Sequence, residues 1–172
     1  MALPRIFTFV AGKISAVALG IQSSLGAADA DKMIATNAEG KLDESFLPAG
    51  IGASTNSLPA SENLSAGDYV DIYTDGGVSK IRRADAATLK AADGFVTAGV
   101  TAGANGTVYP LGEKNTQHTG LTPGTDYFLS VTVPGGVQTA APSAAGQLYQ
   151  RLGVAISATE LQTSDDIKVE LT

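Results

Sequence analysis

The sequence predicts a mainly β fold: a small β-sandwich or barrel-like body preceded by an extended N-terminal arm. Three observations predict it. From Leu64 onward, short runs rich in Val, Ile, Tyr and Phe are separated by Gly/Pro turns. Only 84–92 reads as a helix, and it is short. Between 29 and 63, turn residues are too dense for long regular elements, because Pro fixes φ and Gly supplies φ > 0.

The strands follow in order. Tyr69, Val70, Ile72 and Tyr73 form an extended run ended by Asp75-Gly76-Gly77. The Asp-Gly step is a hairpin signal, since both central residues of a type I′ turn need φ > 0. Val78 to Ile81 returns from that turn. Phe95 to Val100, Thr107 to Tyr109, Tyr127 to Val133, Leu148 to Ile156 and Ile167 to Leu171 read as further strands. Residues 1–63 form the arm and linker, with the Ser/Asn-rich 53–63 closing it, and 64–172 form the body. Within the arm, 32–36 and 40–42 pair as a small hairpin.

A duplication runs through the body. Gly76-Gly77-Val78 and Gly135-Gly136-Val137 align without a gap as far as Gly94 and Gly153. Upstream, Ala66-Gly67-Asp68-Tyr69 resembles Pro123-Gly124-Thr125-Asp126-Tyr127 with one residue inserted. Two readings stand: coincidence in a glycine-rich β chain, or two β-hairpin units around a pseudo-twofold axis.

Composition narrows the function. The chain has 172 residues, enough for an independent core. Its apolar content is weighted to Ala and Gly, which add little buried area each, so such a chain gains from burying surface against copies or a partner. Net charge is −6 and the cations are scattered, which argues against nucleic acid. There is no cysteine, hence no disulfide or thiolate chemistry. Lys13 interrupts the apolar N-terminus, so it reads as the uncleaved start of a soluble chain. No stretch reaches the roughly 20 apolar residues of a membrane span.

No catalytic constellation emerges. The single histidine, His118, reads as a solvated loop residue. Asp29, Asp31, Glu39, Asp43 and Glu44 lack the spacing of a calcium loop, and Asp165-Asp166 reads as an exposed turn. The glycine-rich 99–106 lacks the Lys-Ser or Lys-Thr of a phosphate loop. No enzyme, cofactor or metal is expected. Tyr109, Tyr127 and Tyr149 lie in strand-like runs, where core packing is the expected role.

Residues 29–52, DADKMIATNAEGKLDESFLPAGIG, combine a short strand, a Gly turn, a Leu-Asp-x-Ser element and Leu-Pro-x-Gly-Ile-Gly. With Ala66-Gly67-Asp68-Tyr69-Val70, Ala92-Asp93-Gly94-Phe95-Val96, Gly120-Leu121-Thr122-Pro123-Gly124 and Gly153-Val154-Ala155-Ile156-Ser157, this pattern resembles bacteriophage capsid decoration (cement, head-stabilising) proteins. The resemblance implies a homotrimer on the outer capsid surface, made in the host cytoplasm and bridging subunits of the major capsid protein. It implies no nucleic-acid or membrane partner. The arm would then grip the shell or a neighbouring protomer through Ile6, Phe7, Phe9, Phe46, Leu47 and Ile51, by β-augmentation and apolar anchoring. A tail-fibre or baseplate adaptor is one alternative. A carbohydrate- or receptor-binding β module is another.

Overall fold

The computed structural model describes residues 6–10, 13–17, 20–23, 25–29, 33–36, 38, 40–42, 46 and 54–172. The chain divides into two compact units, Met1–Gly52 and Ala53–Thr172, so the division falls earlier than the expected boundary at 64.

In the first unit, β1 (Ile6–Val10) and β2 (Lys13–Val17) pair antiparallel from Ile6↔Val17 to Val10↔Lys13. Their backbone alone is described. A short 3-10 turn spans Gly26–Asp29, and the Asp29 carboxylate accepts from the Leu25 N–H at 2.5 Å. The expected hairpin of 32–36 with 40–42 is not what forms. Ile34 instead bridges Ile21 in parallel, held by the Ile21 N–H to Met33 O (2.8 Å) and the Ala35 N–H to Ile21 O (2.9 Å).

The second unit is β throughout, as expected. Its strands are β3 (Asn56–Pro59), β4 (Tyr69–Asp75), β5 (Val78–Arg83), β6 (Gly94–Val96), β7 (Asn105–Pro110), β8 (Lys114–Asn115), β9 (Asp126–Leu129), β10 (Val137–Gln138), β11 (Leu148–Ala155), β12 (Leu161–Thr163) and β13 (Lys168–Glu170). The Ser/Asn-rich stretch expected as a linker thus contains β3. Gly76 and Gly77, at φ +60° and +80°, make the two-residue turn between β4 and β5. The expected helix 84–92 reduces to a 3-10 turn at Ala86–Thr88. Asp85 caps it by accepting from the Ala87 N–H, and Leu89 at φ +59° ends it. Reciprocal backbone hydrogen bonds between Asp85 and Lys90 close this segment as a loop, which stops a helix from propagating.

Two antiparallel sheets result, ordered β3-β7-β6-β4-β5 and β8-β12-β11-β9-β10, with β13 added to β11. Matching each strand of the first sheet to the strand five places later gives the same order. The registers agree as well. Tyr69↔Phe95 and Val70↔Gly94 correspond to Asp126↔Val154 and Tyr127↔Gly153. Val96↔Val108 corresponds to Ala155↔Leu161, and Asn56↔Val108 to Asn115↔Leu161. The entry turns make equivalent bonds: Gly67 N–H to Val96 O and Gly124 N–H to Ala155 O, then Val96 N–H to Asp68 O and Ala155 N–H to Thr125 O. The duplication is therefore structural. It corrects the alignment, because Leu64–Val70 matches Leu121–Tyr127 without an insertion and Tyr69 is equivalent to Asp126. Val137 matches Ile81 and not Val78, so the stretch leading to Gly94 and Gly153 is not free of gaps.

Each repeat folds around its own inner face. In the first, Ala60 just past β3 bridges Ile81 of β5, curling the sheet toward closure around Leu64, Val70, Ile81, Val96 and Val108. In the second, the equivalents Leu121, Tyr127, Val137, Ala155 and Leu161, with Leu129 at the position of Ile72, face a core completed by Tyr69 and Phe95 of the first repeat. Successive strand residues point to opposite faces, so Tyr69 and Phe95 leave the first sheet on its outer side while Val70 and Val96 enter its interior. Outer face thus meets inner face. The repeats stack head to tail, and not about the expected pseudo-twofold axis, which would set equivalent residues against each other.

Gly94 and Gly153 are equivalent and are required for one reason. A Cβ on Gly94 would overlap the carbonyl oxygen of Tyr109, and one on Gly153 that of Gln162, the residue equivalent to Tyr109. We expect Gly94→Ala and Gly153→Ala each to lower stability by about 2 kcal/mol or more, since backbone has to move in both. Denaturant unfolding measures this, and wild-type midpoints in both variants would refute the close approach.

Candidate interaction surfaces

The expected anchors fall in the first unit. Ile6, Phe7 and Phe9 lie on β1, and Phe46 is half-buried. Leu47 and Ile51 lie outside the described residues. Four apolar residues not singled out from the sequence are exposed there: Leu25 (83%), Met33, Ile34 and Leu42, the last three each more than half exposed. Met33 and Ile34 were legible as part of an extended apolar run, but nothing in the sequence marked that run as uncovered.

A second surface lies on the outer side of the second sheet. Phe128 of β9 and Tyr149 of β11 point away from the core, with ring centroids 5.4 Å apart and planes tilted by 59°. Beside them Arg151 is held from two sides. Its Nη2 and Nε donate to Asp126 Oδ1 at 2.7 and 3.1 Å, and its Nη1 donates to Asp166 Oδ2 at 2.7 Å and Ser164 Oγ at 3.1 Å. These hydrogen bonds raise the Arg151 pKa, and those from Arg151 and Ser164 lower that of Asp166. Asp166 is therefore more than an exposed turn residue, because it ties the segment before β13 to β11. Ile167 and Val169 are exposed on the same side, and Tyr149, Arg151, Asp166 and Ile167 line a shallow hollow of about 280 Å³. Of the three tyrosines expected in the core, only Tyr127 is buried there; Tyr109 and Tyr149 are half-buried.

His118 is not the solvated residue expected from its polar neighbours. It is half-buried, stacked on Tyr69 at 5.9 Å, with Nε2 3.5 Å from the Tyr69 hydroxyl. Burial lowers its pKa and raises that of Tyr69, so the pair is neutral at pH 7. Nearby, buried Asn115 donates to Gly67 O at 3.1 Å and accepts from the Gln117 N–H. These groups join the repeats and form no nucleophile–base pair. Among the described residues, no group of three or more His, Asp or Glu side chains is placed to hold a metal ion, and no helix is long and apolar enough to cross a membrane.

No protein-family model matches the chain, and no curated protein sequence matches it.

The lowered His118 pKa sets a pH dependence. The unfolded chain takes up the imidazole proton near 6.5, and the folded chain resists it to lower pH. Stability is therefore full above about 6.5 and falls as pH drops below that value. Unfolding midpoints measured from pH 7.5 to about 5.5 should decline, and His118→Gln should flatten the decline. A slope unchanged in His118→Gln would contradict the assignment.

Proposed function

We propose that this chain is a non-enzymatic structural protein of a bacteriophage virion. In this reading it decorates the outer capsid surface and stabilises the shell, bridging major capsid protein subunits as a homotrimer. The observation that carries the reading is the first unit, which leaves Leu25, Met33, Ile34 and Leu42 uncovered. Exposed apolar side chains clustered in one short segment mark a contact surface, and covering them removes apolar area from water. The resemblance of 29–52 to capsid decoration proteins supplies the partner class.

The body supports the same role from the other side. It is a tandem β scaffold in which no buried side-chain nitrogen or oxygen among the described residues lacks a partner. Such a scaffold suits a protein that bears load. On a shell, many identical contacts act together, so each arm contact can be modest.

Deleting residues 1–50 tests this directly. The shortened chain should keep its β circular dichroism and cooperative unfolding while its co-sedimentation with capsids drops to background. Met33→Asp with Ile34→Asp in the full chain should weaken binding about tenfold or more. Full capsid occupancy by the deleted chain would refute arm anchoring.

A further inference from the structure

We infer that the first repeat carries a binding site for a neutral saccharide, beyond the capsid-decorating role and independent of it. A cleft of about 330 Å³ opens between the end of β6 and β7. Thr107 and Tyr109 are two apart on β7 and share a face, and Thr97, just past the last ladder pair Val96↔Val108, lines the cleft with them. Asn105 begins the same strand and completes the polar lining, with Gly99 and Gly106 contributing backbone. A side chain on buried Gly106 would press on Val100 Cγ2 at 2.9 Å, so glycine preserves the packing beneath the cleft.

The chemistry of this lining is narrow. It offers two hydroxyls, one carboxamide and one phenol, and no charged side chain. Among the described residues, none of these four side chains makes a hydrogen bond within the protein. The Tyr109 ring is fixed by stacking on Phe95, with centroids 5.7 Å apart and planes 19° from parallel. A fixed aromatic ring beside unpaired neutral donors and acceptors fits a ligand with a C–H face and several hydroxyls, which is a sugar ring. A charged ligand would find no counter-charge there, and a purely apolar one would leave the Thr and Asn groups unpaired.

The second repeat differs here, because the short connection 156–160 stands where the first repeat has the longer connection 97–107. Ile156, Glu160 and Gln162 occupy the positions of Thr97, Thr107 and Tyr109. Glu160 pairs with Lys114 at 3.8 Å, and Gln162 Nε2 donates to Gly112 O at 2.8 Å. There the same face is closed by internal contacts. The cleft and its free polar set therefore belong to the longer β6–β7 connection of the first repeat.

The test titrates the full-length protein, followed by amide NMR, with the methyl glycosides of glucose, galactose, mannose and N-acetylglucosamine. At least one should shift amides at 97–100 and 105–109, with a dissociation constant on the order of millimolar, as suits a ligand of about a dozen heavy atoms. Thr107→Val and Asn105→Ala, both at exposed positions, should each weaken binding about tenfold, while Gln162→Ala should leave it unchanged. No shift at about 50 mM of any glycoside, a limit well above the affinity expected for so small a ligand, would overturn the inference. So would shifts confined to Phe128 and Tyr149, or binding indifferent to Thr107→Val and Asn105→Ala.

Discussion

Tyr69 and Phe95 belong to the first repeat by sequence and to the core of the second by position, and the body is organised around that exchange. Each is fully buried, and burying a ring of that size contributes roughly 1.5–3 kcal/mol. Their strand neighbours Val70 and Val96 fill the first repeat's own interior. The central strands of the first sheet are consequently covered on both faces, as the unbroken burial of Gly94, Phe95 and Val96 records. Polar contacts fix how the repeats meet. The buried Gln150 amide takes the Ala92 N–H on Oε1 and donates from Nε2 to the Ala92 carbonyl, both at 2.8 Å, as a second strand would. Ala84, Ala86 and Ala92 keep that segment slim enough for the approach. An apolar residue at 150 would strand two buried backbone groups.

The two repeats differ on their outer faces. The outer positions that carry Tyr69 and Tyr109 in the first repeat carry Asp126 and Gln162 in the second. At these two positions the second repeat presents polar side chains where the first presents tyrosines. The first repeat's interior is filled by its own side chains. What the outer face of the second repeat retains is a small aromatic patch braced by Arg151.

Much of this was legible in the sequence, and the limits follow from local geometry. The β class, the Gly76-Gly77 turn and the equivalence of Gly94 with Gly153 could be read, since period-2 alternation and positive-φ glycines are local signals. Strands β8, β10 and β12 escaped because each is three residues or fewer and pairs only through tertiary register. The helix expected at 84–92 was composition without context, as Ala and Leu favour helix until Asp85 and Lys90 bond to each other. The duplication was detected but misregistered, because two tyrosines near each other in the pattern attract alignment more strongly than the turn bonds that define equivalence. His118 was misjudged because its sequence neighbours are polar, while its spatial neighbour is Tyr69.

A load-bearing shell protein and a tail adaptor would place the same arm chemistry on different parts of a particle, and stoichiometry separates them. Copy number and position on purified virions, from quantitative gel densitometry and cryo-electron microscopy, test the account most directly. It predicts on the order of hundreds of copies at regular lattice points on the head, where avidity operates. A handful of copies at the tail, or absence from the particle, would contradict it.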